Sequence, residues 1–136
     1  MSEHTTGSCL CHSVQYVIKE DINAVTNCHC NTCKKITGAA FETIAVVSDK
    51  NLEITEGINL ITTYQITKNA QKHFCSICGT PIYNINNKYP GRCMVLIGSL
   101  DDPSSAVPTM NIFCESMFPW VKDICALKNF EQFPRK

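Results

Sequence analysis

Seven of the ten cysteines in this 136-residue chain fall into three tight groups, Cys9-x-Cys11, Cys28-x-Cys30-x-x-Cys33 and Cys75-x-x-Cys78. The grouping restricts the fold more than any other feature, because each group must either bridge its sulfurs or place them around a common ion. Two observations weigh against bridging. A chain of this length hides roughly two-thirds of its unfolded surface and can build a core without covalent staples. The first twenty residues carry neither a basic start nor an apolar run, so they do not read as a signal peptide, and the expected compartment is the reducing cytoplasm. There, grouped thiols are more often metal ligands or catalytic groups than disulfide halves.

Zinc takes four ligands at tetrahedral angles with Zn–S near 2.3 Å, which sets ligand sulfurs roughly 3.8 Å apart. In Cys75-Ser76-Ile77-Cys78-Gly79 the glycine can take a positive φ and let the backbone curl its N–H groups toward the thiolates, as in a zinc knuckle. The pair Cys9-Leu10-Cys11 is too short for that; on a regular strand its side chains share a face about 6–7 Å apart, so a turn or bulge must pinch them. Each pair supplies two ligands. A closed site therefore joins Cys9, Cys11, Cys75 and Cys78 across a loop of more than sixty residues, which makes the metal a folding element. Cys28, Cys30 and Cys33 remain as a local set of three with one position free, the layout of a reactive rather than a structural zinc. Cys93, Cys114, Cys125, His12, His29 and His73 are the residues that could complete and close that second site.

Charge and hydropathy limit the partners. Lys and Arg number 12 against 12 Asp and Glu, without a basic stripe longer than Lys34-Lys35, so no nucleic-acid partner is expected. The longest aliphatic runs, Ile44–Val47 and Met94–Ile97, fall far short of the roughly 20 residues that cross a bilayer, so no membrane partner is expected either. Apolar residues make up 44% of the chain and no repeat or flexible linker divides it, which predicts one domain over residues 1–136 with a core of about 7–127. The chain reads as mainly β. Val14, Tyr16 and Ile18 alternate with polar neighbours over 13–19, and similar short runs follow at 41–47, 52–55, 60–66, 71–75, 81–86, 93–98 and 110–114. Turn residues such as Glu56-Gly57, Lys68-Asn69 and Pro90-Gly91 separate them. One short helix is predicted over 32–37 with Asn31 as N-cap and Gly38 as the stop, and a second turn of helix near 103–106.

The order Gly7-x-Cys9-x-Cys11, Cys28-His29-Cys30-x-x-Cys33, Phe74-Cys75-x-x-Cys78-Gly79-Thr80 and Gly98-Ser99-Leu100-Asp101 resembles the glutathione-dependent formaldehyde-activating enzyme family, which includes centromere protein V-like proteins. The resemblance runs from about Gly7 past Trp120. It implies a β-tent fold of antiparallel sheets around two zinc ions: a structural one on Cys9, Cys11, Cys75 and Cys78, and a catalytic one on Cys28, Cys30 and Cys33. It also implies a carbon–sulfur lyase whose type reaction is the reversible condensation of glutathione with formaldehyde. Three positions depart from the family pattern: His12 stands where glycine is usual, Lys34 where arginine is common, and Asn111 where a histidine is common.

The expected partner is thus a small-molecule thiol or its aldehyde adduct, and the expected activity a zinc-dependent carbon–sulfur lyase. The alternative is a zinc-binding structural or interaction module of the same fold that turns nothing over. Lys34 is the candidate for a substrate anion, against a reading of Lys34 and Lys35 as solvated helix lysines. His29, between two candidate ligands, is a candidate proton relay, against a structural hydrogen bond; His73 is expected to be structural. Cys93 and Cys114 are expected as small buried hydrophobes, and Phe118, Trp120, Phe130 and Phe133 as a packing cover for the sheet.

Overall fold

Val14, Tyr16 and Ile18 are buried while Gln15 and Lys19 face solvent, so the period-two pattern of this stretch is realised as a strand with one face in the core. The computed structural model describes residues 4–134. In chain order the described residues form β1 (Thr5–Ser8), β2 (Gln15–Ile18), β3 (Val25–Cys28), α1 (Asn31–Thr37), β4 (Glu42–Ser48), β5 (Leu52–Glu56), β6 (Ile61–Gln65), β7 (Ala70–Cys75), β8 (Pro81–Asn86), β9 (Arg92–Leu96) and β10 (Met110–Ile112). Short 3-10 turns fill several of the connections. The mainly β class is therefore as expected, and the helical turn predicted near 103–106 is a 3-10 turn at Pro103–Ser105.

The strands make a three-stranded sheet in the order β1-β2-β5 and a seven-stranded sheet in the order β10-β3-β4-β9-β8-β7-β6. All pairings are antiparallel except β10 with β3. That exception follows from the long connection after β9, which brings Met110–Ile112 back alongside Thr26–Cys28 in the same direction. Across the large sheet the register aligns Val25, Ala45, Val95, Tyr83 and His73 in one row. This row belongs to the face that packs with Val14, Tyr16 and Ile18 of the small sheet. Each fully buried aliphatic side chain there contributes about 1.5–3 kcal/mol of transfer free energy. Tyr16 crosses Gly7, its register partner, and shares a 2.6 Å hydrogen bond with the buried Ser99 hydroxyl.

On its other face the large sheet carries Glu42, Asn84 and Lys72, and α1 packs over β4 on that side. Lys72 Nζ donates to the Ile36 carbonyl at 2.7 Å and so reaches the underside of α1, while Glu42 accepts from Asn84 Nδ2 at 2.7 Å. The helix is one residue longer at its start than predicted: Cys30, not Asn31, is the N-cap, its sulfur accepting from the Cys33 N–H at 3.3 Å. Gly38 ends it as expected, returning its N–H to the Lys34 carbonyl at 2.8 Å.

Two strands were not expected. β1 is the polar run Thr-Thr-Gly-Ser, which lacks apolar alternation; β3 is buried on both faces and runs directly into the first cysteine of the triplet. The C-terminal segment departs further. Its residues Pro119–Ala126 form a kinked 3-10 run with none buried, and Trp120, Phe130 and Phe133 are exposed instead of covering the sheet. Cys93 is buried as expected, whereas Cys114 lies exposed on a 3-10 turn beyond β10. Among the described residues no helix is long and apolar enough to cross a membrane.

Candidate functional site

The hairpin between β1 and β2 supplies the pinch that Cys9-Leu10-Cys11 requires. The His12 N–H closes on the Cys9 carbonyl at 3.0 Å, with His12 itself at φ 64, and the two sulfurs stand 3.6 Å apart. Cys75 ends β7, and a tight turn follows in which Gly79, at φ 79, returns its N–H to the Cys75 carbonyl at 2.8 Å. That turn places Cys75 Sγ 3.8 Å from Cys11 Sγ. All four sulfurs of Cys9, Cys11, Cys75 and Cys78 lie within 4.8 Å of one another.

These separations match the edges of a tetrahedron around zinc and are far too long for a disulfide at about 2.05 Å. Backbone N–H groups point at the sulfurs as in a knuckle: Val14 N–H donates to Cys9 Sγ at 3.3 Å and Ile77 N–H to Cys75 Sγ at 3.4 Å. Thr80 joins the two halves, its hydroxyl accepting from the Leu10 N–H at 3.1 Å and sitting 3.2 Å from Cys78 Sγ. The Thr80 hydrogen bonds hold the Cys78 thiol down at about 5, while burial pushes Cys9 up to about 11. A divalent cation is what would let the buried sulfurs ionise together, so the donor set fits a closed zinc site.

The second group is built by the junction of β3 and α1. Cys28 is the last residue of β3, Cys30 caps the helix, and Cys33 lies in its first turn; their sulfurs also fall within 4.8 Å of one another. Cys33 Sγ donates to Cys28 Sγ at 3.3 Å. That bond favours the thiolate of Cys28, which is lowered to about 6, and the thiol of Cys33, which is raised by Cys28 and further by burial and by Glu42. Three sulfurs converging at one point fit a metal with one position left for an exogenous ligand.

None of the side chains that could have closed this group joins it among the described residues. His12 is on the β1–β2 hairpin, Cys93 is buried on β9, and Cys114 and Cys125 are exposed. His73 is buried and stacked on Tyr83 with ring centroids 4.2 Å apart. His29 is fully buried against Phe41, with Nε2 3.0 Å from Asn111 Oδ1 and no partner for Nδ1. Asn27 Nδ2 donates to the same Asn111 oxygen, so that oxygen is the acceptor and His29 Nε2 donates to it. Lys34 directs its ammonium to the Ser116 carbonyl at 2.7 Å and over the Phe118 ring at 3.9 Å, whereas Lys35 is exposed.

Glu42 is the residue that sequence reasoning missed. It is the register partner of Cys28, 3% exposed, and burial raises its carboxyl above the usual range. Its place opposite Cys28 sets a carboxyl beside the triplet, and it helps raise the Cys33 thiol. The available signal was an acid inside the apolar strand Glu42–Ser48, where a charged side chain needs a partner to be tolerated. For Thr80 and Asn111 the motif supplies the positions but not the contacts, which reach Leu10 and His29 across 70 and 82 residues of chain.

A family model described as "Glutathione-dependent formaldehyde-activating enzyme" matches residues 4–116. Among curated proteins, the chain is similar to one from Halomonas elongata, 23% identical over 123 residues, covering 85% of this chain and 78% of that protein. It is also similar to one from Podospora anserina, 31% identical over 88 residues, covering 62% of this chain and 41% of that protein. Both carry the name "Putative glutathione-dependent formaldehyde-activating enzyme". A crystal structure of a Rhodobacter sphaeroides protein superposes with a TM-score of 0.64 at 21% identity, over 78% of this chain and 98% of that one, and so shares the fold.

Proposed function

The chain belongs to the glutathione-dependent formaldehyde-activating enzyme family, and from that membership we propose that it is a zinc-dependent carbon–sulfur lyase acting on the aldehyde adduct of a glutathione-like thiol. Two zinc ions per chain are proposed, one held by Cys9, Cys11, Cys75 and Cys78 and one by Cys28, Cys30 and Cys33. The observation that carries the reading is the second group: three sulfurs within 4.8 Å of one another and no fourth protein ligand among the described residues.

The reaction is an addition across a carbonyl and its reverse. The thiol sulfur forms a bond to the aldehyde carbon, the carbonyl π electrons move to oxygen, and the proton lost by sulfur ends on that oxygen as a hydroxyl. Cys28, Cys30 and Cys33 would hold a zinc ion, and when bound it would supply the Lewis acidity that lets a thiol ionise near neutral pH. The protein holds the three sulfurs in place. Cys28 is fixed by the β3–β4 register, Cys30 by the helix cap, and Cys33 by the Cys30 sulfur that accepts its N–H. His29 anchors the same loop to β10 through Asn111, and its own N–H donates to the Ile112 carbonyl at 3.0 Å.

Cobalt substitution with thiol titration tests the reading. Two ions per chain are expected, and glutathione should change the absorption of one of them while leaving the other unaltered. A single ion, or two ions whose spectra ignore every added thiol, would instead point to a structural module.

A further inference from the structure

On the outer face of α1 lies an open depression of about 640 Å³. Asn31, Lys34, Lys35 and Gly38 recur at helical spacing and line one of its sides, starting from the residue that follows Cys30. Ala39 and Ala40 extend that side with small residues, and Phe118 and Trp120 form the facing wall. The two rings stack with centroids 5.8 Å apart and an interplanar angle of 21°.

Two features distinguish this surface from an incidental apolar patch. First, the wall is held in place. The Lys34 ammonium is fixed by the Ser116 carbonyl at 2.7 Å and by the Phe118 ring at 3.9 Å, so the segment that carries the aromatics is tied to α1. Although tied, Phe118 and Trp120 stay 38% and 49% exposed, an arrangement that leaves ring surface available to a ligand. Second, the charge is one-sided. No acidic side chain lines the depression, and Lys35 stands exposed on its lining without a hydrogen bond or ion pair among the described residues.

We propose that this depression binds a carboxylic acid with an aromatic or branched aliphatic body, the body lying against Phe118 and Trp120 and the carboxylate on Lys35. Because the helix that lines it is capped by Cys30, the depression would hold the end of the thiol substrate remote from sulfur, a statement that rests on the reading of the triplet given above. Among glutathione-like thiols, which also carry carboxylates remote from sulfur, the site then favours those with a bulky apolar group beside the carboxylate over small polar thiols.

Trp120 is the single tryptophan of the chain, so its emission reports on the wall directly. In the zinc-loaded protein, 3-phenylpropionate should change that emission saturably. Its neutral amide should bind about threefold to fivefold more weakly, and Lys35→Gln should weaken the acid by a similar factor and leave the amide unaffected. Phe118→Ala should weaken both ligands up to about tenfold. With cobalt at the triplet, 2-mercapto-3-phenylpropionate should perturb the spectrum at lower concentration than 2-mercaptoethanol, and Phe118→Ala should narrow that gap. The absence of a saturable response to 3-phenylpropionate overturns the proposal. So does emission that varies with protein concentration and ignores the acid, since the wall is then covered by a second copy of the chain. If 3-phenylpropionate binds as described while no thiol alters the cobalt spectrum, the acid site stands, and both the substrate role and the triplet reading fall.

Discussion

His12 pays for the absence of glycine. It sits at φ 64 in the turn that brings Cys9 and Cys11 together, a left-handed conformation in which a Cβ is crowded against the backbone. Its carbonyl still accepts from Gln15 Nε2 at 3.1 Å, and its side chain is exposed, so the turn does not depend on the imidazole. This explains at the level of one dihedral why the family pattern prefers glycine after Cys-x-Cys. His12→Gly is expected to stabilise the protein by about 0.5–1 kcal/mol, the relief of left-handed strain less the extra freedom glycine gives the unfolded chain. His12→Ala keeps a Cβ and should gain nothing. Urea unfolding midpoints of the three proteins check this, and equal midpoints for the two variants would show that the turn is not strained at this residue.

At the scale of elements, the first site is a joint between a hairpin and a knuckle, and Thr80 is the side chain that spans it. Its hydroxyl meets the Leu10 N–H from one element and the Cys78 sulfur from the other. Thr80→Val keeps the volume and removes both contacts, and zinc affinity at the four-cysteine set should fall about tenfold to a hundredfold. Thr80→Ser should stay near the parent protein; competition with a chromophoric chelator measures all three. The sequence reveals strands such as Pro81–Asn86 and Ile61–Gln65 well because each is bounded by turn residues. It conceals β1, whose Thr5, Thr6 and Ser8 have no apolar face to read and which is held as a strand by β2 and by Leu100 and Asp101. It conceals β3 because the cysteine at its end signals a metal loop more strongly than four residues signal a strand. The aromatics near the C-terminus are exposed against expectation because aromatic content predicts burial only when an amphipathic element presents one face, and a kinked 3-10 run presents none.

For the molecule as a whole, the two cysteine groups play unequal topological parts. Sulfur spacing groups the cysteines into two pairs and a triplet, since short-range geometry is written locally in the chain. What it cannot contain is the surroundings of the triplet: Glu42 beside it, Asn111 beneath His29, and Lys34 turned toward Ser116, all products of strand order. Cys9 and Cys11 belong to the hairpin that starts the small sheet, and Cys75 ends a strand of the large one, so the four-sulfur set ties the sheets across a separation of 64 residues between Cys11 and Cys75. Cys28, Cys30 and Cys33 span one strand end and one helical turn, and the β3–β4 and β3–β10 ladders already hold that junction. A metal at the first set therefore restrains the unfolded chain far more than one at the second. Cys75→Ser should lower the melting temperature by about 10 °C or more, the effect of a few kcal/mol on a chain of this size. Cys30→Ser should bind one metal ion fewer than the parent protein and melt within a few degrees of it. Calorimetry alongside metal analysis distinguishes the two, and a Cys30→Ser protein that unfolds while Cys75→Ser stays folded would exchange the structural and reactive assignments of the two sites.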